Sequence, residues 1–94
     1  MSAKGSKPAC SLEPFTLDWT DFYNTHNLDP NTDLITSSVW TVTGGTQGSD
    51  SIQTPKTTVF LSDGVIGGTL AAKNTIEING GVYRTCATLY LSIT

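Results

Sequence analysis

Asp29, Asn31 and Asp33 stand at alternate positions in NLDPNTD, the spacing with which a calcium loop opens. Such a loop needs glycine at its sixth position and a bidentate glutamate at its twelfth. Leu34 and Trp40 occupy those positions here. The stretch therefore reads as a turn built from Asn, Asp and Pro rather than a metal site. The one histidine, His26, lies near Asp21 and Asp29, but no G-x-S-x-G elbow offers it a nucleophile. Asp18 with Asp21, or Asp29 with Asp33, are the candidate carboxylate pairs for acid–base work. Turn and cap roles explain them equally well. The Gly44-Gly45 and Gly67-Gly68 pairs lack the Lys-Ser/Thr that completes a phosphate loop. No catalytic, cofactor-binding or metal-ligating residue is expected, and no enzyme.

Cys10 and Cys86 are the two cysteines, too few for a disulfide scaffold and far from any zinc spacing. Paired within one chain they would close a loop of about 76 residues and add about 4 kcal/mol on chain-entropy grounds. A reducing cytoplasm opposes that bond during synthesis, a limit that does not apply to particles outside the cell. The candidate disulfides are Cys10 with Cys86, or either of them with a neighbouring chain.

The elements that must carry these residues are short strands. Threonine is the commonest residue, with 16 copies, and Gly, Asn, Asp and Ser supply the breaks. Ninety-four residues make one domain with a thin stability margin. Residues 1–11 have no apolar period and read as a flexible arm before a folded unit over 12–94. Phe15, Leu17 and Trp19 alternate with Pro14, Thr16 and Asp18, a half-buried strand with an edge-type proline. One helical turn after Trp19 would gather Trp19, Phe22 and Tyr23. Residues 37–42 form the next strand, with Trp40 and Val42 inward, and in the company of the segments around it the stretch Ile35–Val42 reads as a core strand. Residues 44–55 read as a polar loop holding at most a very short strand, and 57–61 as a strand.

The last two strands are the most regular. Leu70, Ala72, Asn74, Ile76 and Ile78 share one face of the first. Tyr83, Thr85, Ala87, Leu89, Leu91 and Ile93 share one face of the second. Asn79-Gly80 suits a two-residue type I′ turn, which would oppose Ile78 to Gly81 and Cys86 to Lys73. About seven short strands with a turn every 8–12 residues read as an all-β sandwich.

Net charge is −3, with only Lys4 and Lys7 clustered, which argues against nucleic acid. No apolar run approaches the ~20 residues that span a bilayer, and the N-terminus has no signal-type apolar region, so no membrane partner is expected. A surface remains. Lys4 and Lys7 of the arm, with outward-facing Lys73, Arg84 and Tyr90, are the candidate interface.

Several segments resemble a known series. They are Leu17-Asp18-Trp19-Thr20-Asp21-Phe22, the stretch DLITSSVWTV over 33–42, and Thr57-Thr58-Val59-Phe60-Leu61-Ser62 with Gly64. Asn74-Thr75-Ile76 with Gly81, Arg84 and Thr85, then Leu89-Tyr90-Leu91, complete it. Their order is similar to that of short, Ig-like virion proteins of tailed bacteriophages, encoded among head and head–tail genes. The resemblance implies an Ig-like β-sandwich of about seven short antiparallel strands and a structural role on a particle assembled in the bacterial host cytoplasm. It brings no cofactor and no catalytic residue. The first expectation is a capsid decoration or head-associated protein that contacts capsid or neck proteins as a multi-copy homo-oligomer. The alternatives are a neck, collar or tail-fibre-attachment protein, and a host-surface or glycan-binding sandwich.

Overall fold

The computed structural model describes residues 2–94. Seven strands run in chain order: β1 (Ser2–Lys7), β2 (Glu13–Asp18), β3 (Ile35–Thr43), β4 (Thr46–Gln53), β5 (Lys56–Ser62), β6 (Thr69–Ile78) and β7 (Tyr83–Ile93). One short helix, α1 (Thr20–Thr25), follows β2. The strands make two sheets, β1-β7-β6-β3 and β2-β5-β4. The result is an all-β sandwich, 41 Å along its longest axis. No described helix is long and apolar enough to cross a membrane.

Alternation decides which faces meet. Leu70, Ala72, Ile76 and Ile78 of β6 are fully buried, and Ala87, Leu89, Leu91 and Ile93 of β7 are buried beside them. Leu17 of β2, with Val59 and Leu61 of β5, covers them from the other sheet. Trp19, Tyr23, Ile35 and Trp40 complete the core. Phe22 of the same helical turn lies outside it, against His26 and Tyr83, with ring centroids at 4.2 and 6.5 Å.

A buried polar chain crosses this apolar layer. The indole Nε1–H of Trp19 donates to Thr57 Oγ1 at 3.1 Å. Thr57 Oγ1 donates in turn to Asn74 Oδ1 at 2.7 Å. Asn74 Nδ2 then reaches Ser38 Oγ at 2.9 Å and the Val39 carbonyl at 3.2 Å. Trp19, the residue after β2, and β5 of one sheet are thereby tied to β6 and β3 of the other. Apolar faces slide easily, whereas a hydrogen-bonded chain fixes their relative position.

Three expectations are corrected. The first is the register of the last hairpin. Ile78 pairs with Tyr83, not Gly81, and Cys86 pairs with Thr75, not Lys73. The two-residue turn is replaced by a four-residue connection with positive φ at Asn79, Gly80 and Gly81. Bonds to the loop before β3 and to the start of β3 hold it open: Asn79 N to the Leu34 carbonyl, Asn79 Nδ2 to Asp33 Oδ1, and Gly80 N to Thr36 Oγ1. The shift is two residues, so every inward side chain stays inward.

The second concerns the N-terminal arm. Residue 1 lies outside the described residues, but Ser2–Lys7 form β1, paired in parallel with β7 from Ser2↔Thr88 to Lys7↔Ile93. β7 has eleven residues and an otherwise open edge, and β1 satisfies it through backbone bonds that need no apolar side chain. The strands are thus not all antiparallel. Third, residues 46–53 form a full strand, β4, every residue of which is exposed. A strand with no buried face leaves no alternation to read. β3 starts at Ile35, as the core-strand reading of residues 35–42 has it, and ends one residue later, at Thr43.

Candidate interaction face

The outward residues of the four-stranded sheet form one surface, and register fixes their neighbours. Val39, Thr75 and Cys86 lie in one row, and Thr41, Lys73 and Thr88 in the next. Thr43, Ala71, Tyr90 and Lys4 make a third. Glu77 and Arg84 face each other at one end, joined by an ion pair of 3.0 Å. The middle of the face is built from small and β-branched side chains, with Val39 58% and Tyr90 42% exposed.

Five residues singled out from the sequence meet here: Lys4, Lys73, Arg84, Tyr90 and Cys86. Their sequence separation hides this, because β1 and β7 are neighbours only through the parallel pairing. The face is also basic. Lys4, Lys73 and Arg84 stand against a single acid, Glu77, in a chain whose net charge is −3.

Lys7 is corrected. It was expected at an exposed interface, yet it is fully buried. Its Nζ donates to the carbonyls of Pro8 at 2.7 Å and Asp63 at 3.0 Å. β1 alternates, so Lys4 points outward and Lys7 inward, where its charge is held by carbonyl oxygens.

Cys10 and Cys86 are both free and exposed. Lys7 pairs with Ile93, so Cys10 lies past the end of β7, whereas Cys86 is seven positions earlier along that strand. At ~3.3 Å per residue this is ~23 Å, far more than a disulfide spans. A bond between them within one chain is excluded by the fold.

The acidic residues considered for chemistry shape the connection between β2 and β3. Asp18 Oδ1 accepts from the backbone N–H and the hydroxyl of Thr20, which starts α1. These bonds hold the Asp18 carboxyl below the usual carboxylate range. Asp29 Oδ1 accepts from Asn31 N, and Asp33 Oδ2 from Asp29 N. Asp33 Oδ1 takes the Asn79 amide, so its carboxyl is lowered also, first by Asn79 and then by Asp29. The Tyr23 hydroxyl donates to the Asp33 carbonyl at 2.6 Å. Burial pushes this phenol up, with the Asp33 charge adding to it. His26 is exposed, its ring Nδ1 3.0 Å from the Phe22 carbonyl. Among the described residues there is no pocket and no cluster of metal-ligating side chains.

Residues 9–91 match the family model of the Podophage GP4 fiber-tail adaptor protein gp77. The chain belongs to this fiber-tail adaptor family. It is therefore a structural component of a phage virion. The match spans the adaptor sandwich from the turn after β1 into β7, so β1 with Lys4 lies outside it. No curated protein matches the chain.

Two features of this chain escaped the sequence. Val39 was placed outward without a role, and the Trp19–Thr57–Asn74 chain was not foreseen. The signal for the second was present: an asparagine in an otherwise apolar inward series needs a buried partner.

Proposed function

We propose that this protein joins a fibre to the tail of a podophage particle, as a non-enzymatic adaptor that works through its surfaces. The observation that carries this is the fiber-tail adaptor match over residues 9–91, nearly the whole sandwich. It favours the tail-fibre-attachment alternative over capsid decoration, which no structural feature supports. Its partners are then tail and fibre proteins, contacted through the exposed surface of the sandwich. A rigid connector suits the task, and the polar chain between the sheets supplies that rigidity. The strand orders β2-β5-β4 and β7-β6-β3 follow the B-E-D and G-F-C sheets of an immunoglobulin-type sandwich, which supports an Ig-like fold.

Particles made without this protein test the reading. Electron micrographs are expected to show filled heads and tails without fibres. Fully fibred particles would overturn it.

A further inference from the structure

The charges of this chain are segregated. The outer face of the four-stranded sheet has three basic groups against one acid, hence +2, while the whole chain is −3. The remainder thus stands at −5. Much of that lies in residues 18–33, which contain Asp18, Asp21, Asp29 and Asp33 and no lysine or arginine. Among the described residues the only ion pair is Arg84 with Glu77. Lys56 lies opposite Asp18 in the β2–β5 pairing and draws on its charge, whereas Asp21, Asp29 and Asp33 form no ion pair. Lys4 and Lys73 form none either.

Exposed apolar side chains occur at both places. Val39 and Tyr90 stand out from the basic face, and Leu34 and Val82 (50% and 72% exposed) from the end that carries the acidic segment. We propose that the basic outer face of the four-stranded sheet docks the acidic 18–33 end of a second copy of this chain. The contact is head to tail: each copy offers a face to one neighbour and an end to the next. Such heterologous contacts repeat, and they close into a ring when the rotation allows. Opposite charges orient the encounter, and the exposed apolar side chains supply the area that leaves water. The low-lying carboxyls of Asp18 and Asp33 keep the acidic end ionised in mildly acid solution. This deepens the adaptor reading by naming what covers one face. It is tested on the purified chain alone, so its result is separate from whether a fibre is bound.

Sedimentation velocity of the full chain gives the test. At roughly 0.01 M salt, where screening extends over ~30 Å, species larger than a monomer are expected; at roughly 1 M, where it falls to ~3 Å, monomer is expected. Lys73→Glu spoils the face, and Asp21→Lys spoils the end. Each alone weakens association about tenfold or more. An equal mixture of the two restores one contact, from the intact end of the first to the intact face of the second. It should therefore associate under conditions where each variant alone does not. Lys4→Glu repeats the face variant at a residue in a different strand, and thermal melts verify that each variant folds. A chain that stays monomeric at low salt overturns the proposal. So does association that ignores both charge reversals, or a mixture of variants that stays monomeric.

Discussion

Thr57 Oγ1 donates to Asn74 Oδ1 at 2.7 Å across the space between the two sheets, and both side chains are fully buried. The same oxygen accepts the Trp19 indole N–H. Thr57→Val keeps the shape of the side chain and removes both bonds. Two buried polar groups then lose their partner, at about 1–3 kcal/mol each. Urea denaturation is expected to show a loss of about 3 kcal/mol for Thr57→Val and under about 1 kcal/mol for Thr57→Ser, which keeps the hydroxyl. Equal losses for both would mean that packing, not the hydroxyl, matters at this position.

Trp40 is buried in the core, but its Nε1–H has no partner among the described residues. Trp40→Ala should cost about 3–5 kcal/mol, enough to unfold a domain of this size. Trp40→Phe loses some contact area and also the unsatisfied donor, so a cost under about 1.5 kcal/mol is expected. Thermal melts of the pair read the difference. A melt of Trp40→Ala that matches the parent would contradict the placement of the core.

The lowered carboxyls set the acid limit. Asp18 and Asp33 release their protons more readily in the folded chain than in the unfolded one. Their contribution is complete above the unfolded value of about 3.9 and is lost as pH falls through the folded values. Stability should therefore decline below about pH 4, and Asp33→Asn should flatten that decline. Tyr23 has the opposite sense: its raised folded value gives stability that is full below about pH 10 and is lost as pH rises beyond it. Chemical denaturation across pH, for the parent with Asp33→Asn and Tyr23→Phe, measures both limbs.

Cys10 and Cys86 are exposed and lie far apart along the fold. A thiol reagent should titrate both in the native chain, without denaturant. The Cys10→Ser, Cys86→Ser double variant should melt within about 0.5 kcal/mol of the parent, as other exposed substitutions do. A native chain with no reactive thiol would contradict the structure.

How much of this could be read beforehand depends on what each residue faces. Leu70, Ala72, Asn74, Ile76 and Ile78 alternate against one buried face, so their orientation was legible although the register of the hairpin was not. The register was set by Asn79 and Gly80 bonding to Asp33, Leu34 and Thr36, contacts between segments distant in sequence. β4 is exposed throughout and β1 is held by its backbone, so neither leaves an apolar pattern. Lys7 is the clearest case. Nothing local distinguishes it from Lys4, and only the pairing of β1 with β7 turns one inward and the other outward. The interaction face was legible as separate residues and became a surface only once that strand was in place.

The central claim is a station on the particle. Cryo-electron microscopy of intact virions, with this chain carrying a small fused tag at its C-terminus, tests it most directly. The account predicts tag density at the junction where fibres meet the tail. Tag density distributed over the capsid shell, with none at that junction, would contradict it.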